Sequence, residues 1–292
     1  MRKNEKIGLF YGILSYILWG GYPIYFKFLE HINPLEVVLH RMVWAFVFLF
    51  IAIKILKKYR NVLRFLKIKR VVFILFITGI LISLNWGIYV YAVTNDQILE
   101  CALGYFINPL MSILLGIIFL KETPTLAIKI SIFLVLVAIF IQIFSMGKLP
   151  VISLVLPATF AFYGLIRKKI FVPAIEGLFI ETMLVFPFAL IGLFIFAENG
   201  IMHFSPNLDG FLLFFSGIVT IVPLLTFNIA VNKLKLTTIG FLQYISPTFA
   251  IILAIYYGEI LSFDKILSFA IIWIAIVMVS VSNLKKRRQI EH

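Results

Sequence analysis

The chain has 292 residues, 62% of them hydrophobic and 13% charged. Soluble domains carry about 25% charged residues, so the composition excludes a soluble globular protein and marks an integral membrane protein. The net charge of +13 would suit a nucleic-acid binder, but the basic residues gather in alternate loops and at both tails, the signature of membrane topology.

An α-helix needs about 20 apolar residues to cross a hydrocarbon core of ~30 Å, and on that criterion the chain divides into ten predicted spans. Arg2, Lys3 and Lys6 precede the first, 7–29, which holds Trp19, Gly20, Gly21, Tyr22 and Pro23. It is longer than a signal-peptide core and lacks a small-residue cleavage site, so it reads as a retained helix. The second span, 34–56, opens with Glu36, His40 and Arg41. Glu36 and His40 are four apart and share a face. Arg41 is rotated away from them and lies roughly 10 Å deep at 1.5 Å per residue.

A basic loop running from Lys54 through Arg70 leads to the third span, 71–94, with Asn85, Trp86 and Tyr89. Asp96 and Glu100 flank the start of the fourth, 98–120, which carries Tyr105, Asn108 and Pro109. Lys121 and Lys129 border the fifth span, 127–146. The sixth, 150–167, is short and contains Pro157, Phe162 and Tyr163, and ends in Arg167, Lys168 and Lys169. Glu181 and Pro187 lie in the seventh, 176–197, and Pro223 and Asn228 in the eighth, 210–232, followed by Lys233 and Lys235. The ninth, 238–257, brings Gln243, Tyr244 and Pro247. The tenth, 266–284, runs into Lys285, Lys286, Arg287 and Arg288. The opposite loops hold only Lys27, Lys148 and Lys265, so both termini are expected in the cytoplasm.

The two halves repeat. Residues 85–109 align without a gap to 223–247, matching Ala92 with Ala230, Val93 with Val231, Ile107 with Ile245 and Pro109 with Pro247, and each copy runs on to an acidic stop at Glu122 or Glu259. The midpoint near Gly147–Pro150 separates an N-terminal repeat, 1–147, from a C-terminal one, 148–292. An odd number of spans per repeat inverts the second copy in the membrane. Inverted repeats are typical of transporters, with the substrate site between the halves near the midplane. Gly79, Gly87, Gly104, Gly116, Gly164, Gly217 and Gly240 suit close helix packing.

Polar groups inside a membrane are costly and point to function. Two sets follow. Trp19, Tyr22, Asn85, Trp86, Tyr89, Tyr105, Asn108, Phe162, Tyr163, Asn228, Gln243 and Tyr244 are the candidate substrate-binding set. Amphipathic rings with a few amides suit a planar, partly apolar solute. Glu36, His40, Arg41, Glu100 and Glu181 are the candidate gating or coupling set. Arg41 is expected to pair with Asp96 or Glu100, and Glu181 with Arg167, Lys168 or Lys169, while Glu36 is expected to lie hydrated near an interface. His40 has the titration range of a proton relay. The chain has no phosphate-binding Walker loop. His31, His40, His203 and His292 lack metal-ligand spacing, no Ser-His-Asp set appears, and Cys101 is the only cysteine. No metal or cofactor is expected.

The chain resembles the RarD-type permeases of the EamA branch of the drug/metabolite transporter superfamily. The resemblance runs from Trp19-Gly-Gly-Tyr-Pro to the last span. It is carried by Tyr25-Phe-Lys, His40-Arg41, Asn85-Trp86, Leu103-Gly-Tyr-Phe-Ile-Asn-Pro109, Phe160-Ala-Phe-Tyr-Gly164, Arg167-Lys-Lys-Ile170, Ile180-Glu-Thr-Met183, Gly217-Ile-Val-Thr220, Pro223-Leu-Leu225 and Gln243-Tyr244. It implies an all-α protein of ten helices in two inverted five-helix repeats in a bacterial inner membrane, with spans five and ten peripheral and the rest around a central cavity. The family name is linked to chloramphenicol sensitivity, and substrates across the branch are diverse. The expected function is secondary transport of a small organic solute, a metabolite, amino acid or drug such as chloramphenicol. It would proceed by alternating access, in the efflux direction, driven by the solute gradient or a proton. The expected partners are that solute and the lipid bilayer, with monomer and homodimer both left open. Two other classes remain as alternatives: a membrane-embedded enzyme, which would need a converging acid/base or metal set, and a non-transporting scaffold or regulator, which would need no wet cavity.

Overall fold

The structure is a computed structural model and describes residues 3–121, 124–147, 149–234 and 242–290. Its helices are α1 (Lys3–Gly20), α2 (Tyr22–Lys27), α3 (Pro34–Ile55), α4 (Tyr59–Leu66), α5 (Lys69–Thr94) and α6 (Ile98–Leu120), followed by α7 (Leu126–Met146), α8 (Val151–Lys169), α9 (Ala174–Glu198), α10 (Leu208–Lys233), α11 (Ile245–Tyr256) and α12 (Phe263–Ile290). Six helical stretches among the described residues are long and apolar enough to cross a membrane: Glu5–Lys27, Pro34–Ile55, Lys69–Thr94, Leu126–Ser145, Ala174–Glu198 and Leu208–Phe227. Ile98–Met111, Val151–Arg167 and Ile245–Tyr256 are shorter apolar helices. Backbone in lipid has to satisfy its own hydrogen bonds, and an all-helical bundle does so within each segment. The protein is a multi-pass membrane protein.

Local chemistry sets several boundaries. Asn33 caps α3, its Oδ1 accepting from the Leu35 N–H at 2.9 Å, and Pro34 opens the helix, where its missing donor costs nothing. Asn207 caps α10 in the same way through the Gly210 N–H. The first span is broken: Gly21 ends α1, and Pro23 sits in the first turn of α2. Pro109, Pro157, Pro187 and Pro223 lie inside helices. Pro247 instead lies in the first turn of α11. The two prolines aligned in the sequence, Pro109 and Pro247, therefore sit differently, one interrupting a helix and the other near a helix start, where a proline is tolerated.

The helices pack in a consistent pattern: α6 with α8, α1 with α10, α3 with α9 and with α10, α5 with α8 and with α9, α6 and α1 with α11, and α7 with α12. Side-chain contacts give their directions. Leu39, early in α3, meets Gly192, late in α9, while Phe50, late in α3, meets Phe179, early in α9. These two helices are antiparallel. So are α1 and α10, where Gly12 meets Ala230 and Tyr16 meets Phe227. In contrast α6 and α8 run parallel, with Ser153 beside Glu100 and Phe162 beside Phe119. The pair α7 and α12 stands on the flank, tied by Ser131 Oγ donating to the Ala275 carbonyl at 2.9 Å, Gln142 Nε2 to Ser268 Oγ at 2.8 Å and Ser145 Oγ to Asp264 at 2.6 Å.

Small residues mark the tightest crossings. A Cβ at Gly217 would fall on the α3 backbone, one at Gly104 on Ser153 of α8, and one at Gly79 on the Glu181 carbonyl, whereas Gly87 and Gly164 face open space. Gly240 and Glu122 lie outside the described residues.

Candidate functional site

A cavity of about 40 Å³ sits at the centre of the bundle. It is lined by Tyr16, Trp19, Tyr22, Arg41, Ile82, Asn85, Trp86, Tyr89, Tyr105, Asn108, Phe160, Leu224, Gln243 and Ser246. The wall thus draws on α1, α2, α3, α5 and α6 from the first half, and on α8, α10, α11 and the segment before it from the second. The free space left between these side chains is small beside an organic solute.

Of the candidate binding residues, Trp19, Tyr22, Asn85, Trp86, Tyr89, Tyr105, Asn108 and Gln243 line this cavity. Three do not. Phe162 is 37% exposed and packs edge-on against Phe119. Tyr163 points to Glu181. Tyr244 stacks on Phe106, with ring centroids 6.1 Å apart, and leans on Trp273. The side chain of Asn228 lies outside the described residues. The sequence reading missed Tyr16, Ile82, Phe160, Leu224 and Ser246, and it assigned Arg41 to a gate and not to the cavity wall. Phe160 had a signal: two residues from Phe162 on a helix is roughly 200° of rotation at 3.6 residues per turn, which puts one ring inside and the other out.

Asn85 ties the halves together. Its Nδ2 donates to the Leu156 carbonyl and to Thr159 Oγ1 of α8, both at 2.9 Å. Asn85→Ala is expected to cost about 1 kcal/mol, read as a fall of about 2–4 °C in the apparent Tm of the purified protein. An unchanged Tm would mean that these bonds contribute nothing.

Arg41 departs from expectation. It is 1% exposed and forms no ion pair among the described residues. Asp96 is taken by Lys27 at the end of the bundle, and Ser153 Oγ donates to the Glu100 carbonyl. The Arg41 side chain turns inward instead. Its Nε donates to Thr220 Oγ1 at 3.0 Å, and its guanidinium lies 4.8 Å from the Phe26 ring, 5.0 Å from Trp86 and 5.7 Å from Tyr22. Its Nη1 and Nη2 have no hydrogen-bond partner among the described residues, and neither do Nδ2 and Oδ1 of Asn108 across the cavity.

Glu181 occupies the corresponding place in the second half: it is the eighth residue of α9, as Arg41 is of α3. It accepts from Thr78 Oγ1 at 2.7 Å and from the Tyr163 hydroxyl at 3.3 Å, and it faces Arg167 Nε at 3.5 Å. Its ion partner is therefore Arg167, one of the three expected.

The two ends of the bundle are closed by further polar contacts. At one end Glu36 is fully buried, not hydrated, because the α9–α10 loop folds over it. It accepts from the His203 N–H at 2.6 Å and lies 2.9 Å from the His203 Nδ1. His203 had no signal in the sequence, being a lone polar residue in a loop. His40 stacks on Phe204 with centroids 4.8 Å apart, 3.9 Å from Glu36, and neither ring nitrogen has a hydrogen-bond partner among the described residues. Glu259, in the loop after α11, accepts from the N–H groups of Ile98 and Leu99 and so caps α6. Burial lifts its carboxyl above the usual range, against the pull of those two donors. At the opposite end Glu176 is held by Lys58 and Asn61 of the α4 region.

Among the described residues no group of three or more His, Cys, Asp or Glu side chains forms a metal site.

Comparison with known proteins accords with this arrangement. The model of the EamA-like transporter family matches twice, over residues 6–144 and 149–281. Protein RarD of Salmonella typhi is 38% identical over 290 residues, covering 98% of this chain and 99% of its own. The uncharacterized transporter YojE of Bacillus subtilis is 36% identical over 98% of this chain and 97% of its own. A solved crystal structure superposes with a TM-score of 0.65 at 14% identity, covering 95% of this chain and 98% of that one, a likeness of fold. The chain belongs to the EamA-like transporter family and, within it, to the RarD-type permeases.

Proposed function

We propose that the protein is a secondary transporter that carries a small organic solute outward across the bacterial inner membrane by alternating access, without catalysing a reaction. Ten spans form two inverted repeats, 1–147 and 148–292, and both termini are cytoplasmic. The observation that carries this reading is the central cavity, walled by both halves, with separate polar clusters toward each end.

The packing supports the inverted repeat. Counting α1 with α2 as span one and omitting α4, the extensive pairings between the halves are kept when each span is exchanged with the one five places along. One and eight pair as six and three do, two and eight as seven and three, one and nine as six and four. Directions agree: odd spans run parallel to odd and antiparallel to even. The end that holds Lys58, Arg167 and Lys233 is the basic one, which the positive-inside rule assigns to the cytoplasm. The Glu36–His203 contact then closes the outer side and Glu181–Arg167 the inner side. Opening one while the other holds gives the two states that alternating access needs.

The test is a thermal-shift screen against amino acids, nucleosides, sugars and chloramphenicol, followed by counterflow of each hit in liposomes. A compound that stabilises the protein and exchanges across the bilayer is the expected result. Single cysteines at Asn108 and Gln243 should react with a membrane-impermeant thiol reagent, and a hit should change the rate. If both stay inert from both sides, the cavity never opens and the transport reading fails.

A further inference from the structure

We propose, building on the transport reading, that the solute carried in the central cavity is a singly charged organic anion whose carboxylate is gripped by Arg41.

A guanidinium keeps its charge at any physiological pH and presents a planar fork of donors. Burying that charge without a counter-ion is strongly unfavourable, and Arg41 is 1% exposed. Its only hydrogen bond among the described residues leaves through Nε to Thr220. The faces of Phe26 and Trp86 recover part of the lost hydration. They satisfy none of the N–H groups on Nη1 and Nη2, which remain unpartnered at a cavity wall. Two parallel donors on one edge are the complement of a carboxylate.

The second half of the protein supplies an internal control. Tyr22 and Phe26 stand one turn apart beside Arg41, and Tyr163 and Arg167 stand one turn apart beside Glu181. Each charged residue also touches a threonine, Thr220 or Thr78. The clusters differ in the sign of the central charge and in one neighbour. Where Glu181 meets the cation of Arg167, Arg41 meets the ring of Phe26. The second half carries its own counter-ion, and the first half leaves that role to a ligand.

Asn108 extends the site. It is 1% exposed, lines the same cavity, and its amide offers both an unpartnered donor and an unpartnered acceptor. A second polar group on the solute would pair there. Trp19, Tyr89 and Phe160 provide flat apolar walls for the body between. Among the described residues no other cation lines the cavity, so a monoanion matches it better than a dianionic phosphate.

The test uses the full-length protein at neutral pH with three matched pairs: benzoate and benzamide, phenylacetate and phenylacetamide, indole-3-acetate and indole-3-acetamide. Binding is read by quenching of tryptophan fluorescence, since Trp19 and Trp86 line the cavity. In the wild type the acid of at least one pair should bind about tenfold or more tighter than its amide, the scale of one lost charge-assisted hydrogen bond. Arg41→Gln should erase that preference while leaving amide affinity nearly unchanged, and Arg41→Lys should restore part of it. Equal binding of acids and amides, an undiminished acid preference in Arg41→Gln, or no binding by any acid would each overturn the proposal. The wild-type comparison needs no variant, so a poorly folded Arg41→Gln does not blunt it. Counterflow of the same compounds separates the two readings. Acids that bind without exchanging would sink the transport reading alone, and amides that exchange while acids do not would sink this one alone.

Discussion

Gly217→Val is expected to abolish the folded protein. Gly217 lies in α10 where that helix crosses α3, and a Cβ there would stand 2.5 Å from the Trp44 carbonyl carbon and 2.7 Å from the Ala45 nitrogen. Both are backbone atoms, so no rotamer change relieves the clash and the helices must separate. Helix association inside a membrane rests on close packing. Separation would loosen the Trp44–Phe214 contact at 4.6 Å, the Phe48–Phe214 contact at 5.1 Å and the Arg41–Thr220 bond within one turn. Overpacking typically costs 1–3 kcal/mol or more, and here three sets of contacts go with it, out of a total stability of about 5–15 kcal/mol. Size-exclusion chromatography should show aggregate and no monodisperse peak, with Gly217→Ala intermediate. A monodisperse Gly217→Val with wild-type Tm would refute the crossing.

The second large effect belongs to Glu181→Ala. Its carboxylate is 1% exposed, accepts from Thr78 and Tyr163 and pairs with the charge of Arg167. Deleting it leaves the Arg167 guanidinium, with 11% of its side chain exposed, without a counter-ion. Breaking one partner of a buried pair costs about 3–5 kcal/mol, and the water reaching Arg167 puts the expected loss at the lower end. That corresponds to a drop on the order of 10 °C in apparent Tm. Glu181→Gln, which retains an acceptor for Thr78, should lose less. The double variant Glu181→Ala/Arg167→Met should recover part of the loss, because it removes the stranded charge as well. If the double variant is as unstable as the sum of the singles, the two residues are not coupled.

Much of this molecule is legible in its sequence because hydropathy reports depth. The apolar runs follow from composition along one axis, whereas the first span, read as one helix over 7–29, is broken at Gly21. Direction around each helix is a different quantity, and the errors cluster there. Asn85, Tyr89 and Asn108 reach the cavity, while Phe162 and Tyr244 face their neighbours, although all share depth and chemistry. Depth alone pairs Arg41 with Asp96 or Glu100, but its side chain points across the bundle toward α10, and Asp96 sits with Lys27. Glu36 was read as hydrated because the helix end is near an interface, but a loop some 160 residues later in the chain covers it. Contacts of that range are set by the arrangement of the whole bundle. The Glu181–Arg167 pair was readable because span six and span seven are consecutive, so the choice of partner was nearly local.

The flank pair α7 and α12 has a consequence for biogenesis. Ser131 and Gln142 leave the ribosome with α7, yet the Ala275 carbonyl and Ser268 that receive their hydrogen bonds belong to α12, made more than a hundred residues later. At about 5–20 residues per second of translation, α7 waits on the order of ten seconds with polar groups facing lipid or an insertase. The first half cannot be sealed when its own last span is inserted, and α12 acts as the clasp. A nascent chain stalled before Phe263 should therefore be held by the membrane-insertion machinery, and release should follow only when α12 arrives.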